Sequence, residues 1–219
     1  MQSKKVGIVT YTRSNNYGAR LQAYAVYKIM KDMGFDAEII DVDYPKRYYK
    51  YVVGRILNLS DSISEWFGKY VITYKMLRFN KRNIGATRHI ITRSTDKMCE
   101  FINNQGYDAV ICGSDEIWSS RTREIAPPSI YFLPEKINAL KIAFSPSANG
   151  NHVFKEAEKK WLKCNLEAYS LLGVRDEMTL ALVRDELRIE KAELIYDPTL
   201  YQAEKCCDSI SYERVPLSR

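Results

Sequence analysis

The chain has little with which to build a metal centre. Its 219 residues include two histidines, His89 and His152, and five cysteines, an odd number without metal-ligand spacing. Cys206 and Cys207 are adjacent and form no Cys-x-x-Cys pair, so reduced thiols in a cytoplasmic protein are the expectation. No segment offers the roughly 20 consecutive apolar residues that a membrane-spanning helix needs. The start, "MQSKKVGIVTY", is basic, but its apolar stretch is shorter than that of a secretory signal. The ten glycines do not fall at phosphate-loop spacing, which excludes a Walker loop and a dinucleotide fingerprint. Low-complexity segments and internal repeats are absent. No serine or cysteine nucleophile stands beside a nominated base.

What is present is an ordinary globular composition, 46% hydrophobic and 27% charged, in a chain long enough to bury a core. The net charge of +6 favours anionic ligands such as phosphates or acidic sugars. No lysine/arginine run dominates any segment, so nucleic acid is not an expected partner.

Hydrophobic patterning gives an α/β chain. "KKVGIVTY" (Lys4 to Tyr11) reads as a buried strand, Ala19 to Met33 as an amphipathic helix with Gly34 at its C-cap, and Phe35 to Tyr44 as a second strand. That βαβ unit predicts a parallel sheet with right-handed crossovers. Residues 45 to 93 interrupt the rhythm with a segment rich in tyrosine, lysine and arginine. It reads as helices over the sheet, one at Ser64 to Asn80, forming a basic cover packed by its aromatics in preference to a dedicated binding surface. Regular spacing then returns: a helix at Ser94 to Asn104, strands at Tyr107 to Gly113 and Leu140 to Ser147, and a helix at His152 to Ala168. A strand at Ser170 to Arg175, a helix at Asp176 to Leu187 and a last strand at Ala192 to Pro198 follow. One domain over 1–202 with a disordered tail at 203–219 is the expected organisation.

In open parallel sheets, ligands bind beyond the carboxyl ends of the strands. Each unusual polar cluster falls at such an end. These are Ser14, Asn15, Asn16, Tyr17 and Gly18 after the first strand, and Gly113, Ser114 and Asp115 after the strand at 107. Ser145, Ser147, Asn149 and Gly150 follow the strand at 140, Arg175 and Asp176 the strand at 170, and Asp197-Pro198 the last. Each also has a structural reading. Asn16 and Gly18 suit a helix-capping turn, Asp115 a loop cap, and Asp197-Pro198 a turn. Arg175 suits a phosphate or carboxylate held bidentately, or a salt bridge to Asp176, Glu177 or Asp197. His89 and His152 read as surface residues.

Taken in series, the motifs resemble those of the polysaccharide pyruvyl transferase family. "SNNYGARLQAYAVYKIMKDMGFDAEIIDVDY" is similar to its N-terminal signature and "YDAVICGSDEIW" to its GSD-x-x-W motif. "LKIAFSPSANG" is similar to the segment that follows, and "LLGVRDEMTLALV" and "LIYDPTLY" to its VRE and DPT motifs. The five appear in the family's order over residues 4 to 201. The resemblance implies a Rossmann-like parallel sheet with helices on both faces, one half of a glycosyltransferase-B-like architecture. It implies transfer of the enolpyruvyl group of phosphoenolpyruvate to a sugar, with a glycan or lipid-linked sugar as acceptor and no further cofactor. Matched residue by residue, the substrate-binding candidates are Asn16, Tyr17, Gly18, Gly113, Ser114, Asp115, Ser145 and Arg175. Of these, Arg175 is the anion contact, while Asn16 and Ser114 line the cleft.

The chain departs from the family pattern at Arg20, at Glu116 and at Ser145-Pro146, and it holds no SFHG-like motif with its histidine. The expectation is therefore an N-terminal half that lacks the catalytic C-terminal domain, as a fragment, a split gene product or a degenerate member. Two other readings stay open: a non-catalytic sugar- or nucleotide-binding module, and a protein whose basic aromatic segment meets a membrane or a partner at the inner membrane face.

Overall fold

A computed structural model describes residues 3–13, 16–49, 62–119, 126–150 and 154–201, and the statements that follow concern these residues. The expectations placed on Ser14, Asn15, His152, Cys206, Cys207 and residues 203–219 lie outside them.

Six parallel strands form the main sheet: β1 (Lys5–Val9), β2 (Asp36–Ile39), β5 (Ala109–Cys112), β6 (Leu140–Phe144), β7 (Leu171–Val174) and β8 (Glu193–Leu194). Their spatial order is β2-β1-β5-β6-β7-β8, in the registers Val6 to Ala37, Val6 to Ala109, Ala109 to Leu140, Ile142 to Leu171 and Gly173 to Glu193. This is the Rossmann-like α/β arrangement that the patterning predicts. The chain reverses direction across the sheet between β1 and β5, which makes the gap between those two strands the topological switch point.

Strand alternation assigns the two faces. Val6, Ile8 and Ile111 pack with Tyr24, Val26 and Met30 of helix α1 (Tyr17–Asp32). Val9, Val110, Cys112, Ala143, Leu172 and Val174 point the other way. There they meet Met98 and Ile102 of α4 (Thr95–Asn103), Leu162 and Leu166 of α5 (Glu156–Glu167), and Leu182 and Val183. Helices therefore cover both faces. The segment between β5 and β6 plugs the second face: Trp118 stacks on Phe132, and the Phe132 carbonyl accepts from Asn165 Nδ2 and Tyr169 OH.

Helix α1 starts where Asn16 Oδ1 accepts the Gly18 N–H and stops at Gly34, whose φ of +86° lets the Phe35 N–H reach back to the Met30 carbonyl. That is the glycine-terminated stop expected from the sequence.

The predicted strand Phe35 to Tyr44 is two strands. After β2 the backbone kinks, with the Val42 N–H on the Ile40 carbonyl, and β3 (Val42–Asp43) pairs with β4 (Ile90–Ile91) in a separate parallel pair. Two ion pairs accompany the kink: Asp41 holds Arg13, 28 residues away, and Asp43 holds Arg47, four residues on, from the short helix α2 (Pro45–Tyr48).

Helix α3 (Ile63–Asn83) starts at a capping box formed by Ser62 and Glu65 and runs three residues past the predicted end at Asn80. Most of its aromatics do not pack it: it buries Thr73 and Met76 and sets Phe79 against Tyr24, while Phe67, Tyr70 and Tyr74 face solvent. At the far end of the chain, helix α6 (Glu177–Ala181) widens into a π-helical turn at Leu182–Glu186. The last strand is only two residues long, because Asp197 Oδ1 takes up the Thr199 N–H and turns the chain into α7 (Pro198–Tyr201).

Candidate functional site at the carboxyl edge of the sheet

The loop after β5 is built for close approach. Gly113 has φ +128°, and a Cβ there would lie 2.0 Å from the Phe144 carbonyl oxygen. Ser114 is completely buried and its Oγ has no hydrogen-bond partner. Asp115 follows at φ +77°. Its Oδ1 accepts the Glu116 N–H at 2.8 Å, and its carbonyl accepts the Ser147 N–H at 3.0 Å. Burial raises the Asp115 carboxyl above its usual range, against opposing pulls from the Glu116 N–H, Arg175 and Arg47.

The loop after β6 is zipped to it. Ser145, also fully buried, sits at φ +63° with its N–H on the Gly173 carbonyl and its Oγ unpartnered. The Pro146 carbonyl accepts the Arg175 N–H at 3.2 Å, which carries the chain of contacts to the end of β7. Two consecutive strand ends, those of β5 and β6, thus present strained and unsatisfied groups side by side, with Arg175 at the end of the next strand. Left-handed backbone at a non-glycine residue costs about 1–3 kcal/mol, and a buried hydroxyl without a partner costs a similar amount. Such a concentration marks a functional edge better than any single motif does.

Arg175 stands among carboxylates. Its Nη1 lies 3.5 Å from Asp197 Oδ2, and its charge acts on both Asp115 and Asp176. Asp176 caps α6 by accepting from the Thr179 N–H and hydroxyl. Its carboxyl falls below the usual range: burial works upward, but hydrogen bonds from Ser147 and Thr179 outweigh it. Asp197 also accepts from Gln22 Nε2 of α1 and from Thr199 Oγ1. The salt-bridge reading of Arg175 is therefore present in the geometry, and any anion bound there shares the guanidinium with Asp197.

The Asn16 turn joins this edge less directly. Asn16, Tyr17 and Gly18 are exposed, and the Asn16 amide oxygen is occupied by the cap. Two bonds tie its surroundings to the other loops: Thr10 Oγ1 donates to the Ser114 carbonyl, and Gln22 reaches Asp197. Gly113, Ser114, Asp115, Ser145 and Arg175 form one contiguous cluster; the Asn16–Gly18 turn flanks it across the switch point.

Several groups here escaped the sequence reading. Arg47 is buried, ion-paired to both Asp43 oxygens at 3.0 Å and laid over the Tyr11 ring at 3.9 Å. Burial works to lower its pKa, but Tyr131, Asp43 and Tyr11 raise it, so the guanidinium stays charged beneath the cluster. The i, i+4 spacing of Asp43 and Arg47 was its one sequence signal. Tyr131, fully buried with an unpartnered hydroxyl, lies edge-on to Tyr11 at 4.9 Å. Gln22 was visible as an amide in an otherwise apolar stretch of α1. His89 is half-buried, against the surface reading: its Nε2 lies 4.0 Å from Asp41 Oδ1 and its ring packs on Tyr48. Cys112 ends β5 beside the site, yet burial pushes its thiol up to about 12, which leaves it unreactive. Among the described residues no His/Cys/Asp/Glu group could hold a metal ion, and no helix is long and apolar enough to cross a membrane.

The fold and this edge define a class: a Rossmann-like α/β protein with a polar cluster at the carboxyl ends of its parallel strands. A family model described as polysaccharide pyruvyl transferase matches residues 16–212. The chain belongs to that family. No curated protein matches the chain, and no solved structure matches it.

Proposed function

We propose that the chain takes part in transfer of the enolpyruvyl group of phosphoenolpyruvate to a glycan or lipid-linked sugar. In that reaction one sugar hydroxyl adds to C2 of the donor while C3 takes up a proton. Phosphate then leaves from C2, and a second hydroxyl closes the pyruvate ketal, its proton departing with the phosphate. Family membership over most of the chain is the observation that carries this reading.

The site chemistry supports it in two respects. Asp115 has a carboxyl whose affinity for a proton is raised by burial, as suits a group that binds or deprotonates a sugar hydroxyl. Arg175, partly exposed, offers its guanidinium to a carboxylate or phosphate, while the unpartnered hydroxyls of Ser114 and Ser145 are buried and reach a ligand only if their loops open. Charge balance limits what these groups do alone. One guanidinium among Asp115, Asp176 and Asp197 does not neutralise phosphoenolpyruvate. The remaining cations and the acid that protonates C3 are assigned to a facing half in a glycosyltransferase-B-like arrangement.

The Arg175–Asp197 pair favours a second reading, a non-catalytic module that binds a sugar through Asp115. Phosphate release from phosphoenolpyruvate in the presence of a glycan acceptor, together with direct titration of the donor, separates the two. Transfer predicts donor binding that weakens about tenfold or more in Arg175→Ala. Sugar binding with no donor binding, unchanged by Arg175→Ala, would leave the module.

A further inference from the structure

Helix α3 has two apolar sides. Thr73, Met76 and Phe79 face the protein, and the helix is fastened there by Arg20 Nη1 on the Met76 carbonyl and Asn80 Nδ2 on the Thr12 carbonyl, both at 2.9 Å. A second stripe runs Ile63, Phe67, Tyr70, Tyr74 in steps of four, three and four, which keeps it on one line of the helix. It faces solvent: Phe67 is 60% exposed, Tyr70 46% and Tyr74 54%. Trp66 stacks on Tyr70 at the stripe's edge, 5.8 Å between ring centres.

A surface helix ordinarily turns a polar face outward, and a run of exposed aromatics over several turns marks an interaction site. The charges along the same helix say what kind. Its 21 residues carry five cations, Lys69, Lys75, Arg78, Lys81 and Arg82, against a single carboxylate, Glu65. Lys75, Arg78, Lys81 and Arg82 are exposed. Aromatic rings with a polar atom on an apolar body, interleaved with basic side chains of one sign, suit the headgroup layer of a bilayer. There the rings reach the acyl boundary while the long basic chains extend to lipid phosphates. The helix is too charged to cross a bilayer, so it would lie along the surface.

We propose that α3 is an interfacial membrane-binding helix, seating Phe67, Tyr70 and Tyr74 in the headgroup layer of a bilayer containing anionic lipid, with Lys75, Arg78 and Arg82 on its phosphates. The inference stands apart from the transfer reaction. Where both hold, the helix fastened to the β1–α1 loop brings the sheet's carboxyl edge to the layer in which a lipid-linked sugar resides.

Co-sedimentation of the full chain with vesicles of phosphatidylcholine and phosphatidylglycerol in equal parts tests it. The protein pellets with these vesicles and at least about tenfold less with phosphatidylcholine alone or in high salt. The triple variants Phe67→Ser/Tyr70→Ser/Tyr74→Ser and Lys75→Glu/Arg78→Glu/Arg82→Glu each weaken binding by a similar factor. Thermal melts report whether these variants fold, and Phe67→Asp alone gives a milder second probe. Wild-type protein that stays in the supernatant, or aromatic variants that bind as well as wild type, would overturn the proposal. So would a concentration-dependent dimer that the aromatic substitutions abolish, since the face would then belong to a second copy. Vesicle binding without phosphoenolpyruvate binding would sink the proposed reaction and leave this inference standing.

Discussion

At the scale of single residues, Gly113 has the least freedom. Its φ of +128° and the 2.0 Å gap between a would-be Cβ and the Phe144 carbonyl leave no room for alanine. Gly113→Ala is expected to destabilise the protein by about 3 kcal/mol or more, measured by urea unfolding, and to disturb the Ser114–Asp115 loop with it. His89 gives a pH dependence. Burial depresses its imidazole pKa, Asp41 opposes and Arg13 adds to the depression. The folded state therefore holds the proton less readily than the unfolded chain. The contribution is fully present above the unfolded value of about 6.5 and is lost as pH falls below it. Melting temperature should drop over that window in wild type and drop less in His89→Gln; equal slopes would show that His89 is not responsible. Asn16 separates capping from ligand binding. Asn16→Ala should cost about 1 kcal/mol by loss of the cap, whereas Asn16→Ser restores stability. If the amide also contacts a substrate, ligand affinity stays low in the serine variant.

At the scale of elements, the sequence was readable wherever local rules decide. Gly34 stops α1, Ser94 accepts the Lys97 N–H at the start of α4, and strand alternation sorts the faces. It was unreadable where a distant partner decides. The hydrophobic run from Phe35 to Tyr44 looks continuous, but Asp41 is claimed by the distant Arg13, and the strand breaks at Ile40–Asp41. The site shows the same division. Gly113, Ser114, Asp115, Ser145 and Arg175 could be collected because topology delivers strand ends to one edge. The Arg175–Asp197 pair was among the salt bridges the sequence offered, but that the charge of Arg47 reaches Asp115 depended on how loops from distant strands meet. Alternation also gives a test within one strand. Leu172 is 3% exposed and its neighbour Leu171 is 63% exposed. Leu172→Ala should cost about 2–5 kcal/mol, and Leu171→Ala about 0.5 kcal/mol or less, by chemical denaturation.

At the scale of the whole molecule, the order β2-β1-β5-β6-β7-β8 sets β1 beside a strand made long after it. The Lys5 N–H bonds the Asp108 carboxylate, 103 positions along the chain. A sheet with such separations forms slowly, because loop entropy is lost before the pairing rewards it. Refolding followed by tryptophan fluorescence should take milliseconds to seconds, not microseconds; a microsecond phase carrying the full amplitude would contradict this. On the ribosome, the first strand waits with one edge open until residue 112 has emerged, and everything between β2 and β5 is looped out meanwhile. Lengthening that loop is thermodynamically mild, with each doubling adding about 0.6 kcal/mol. The long basic aromatic insertion between these strands is thus a place where evolution could add or reshape a surface with little penalty to the sheet, the burden falling on the time the nascent chain spends unfinished.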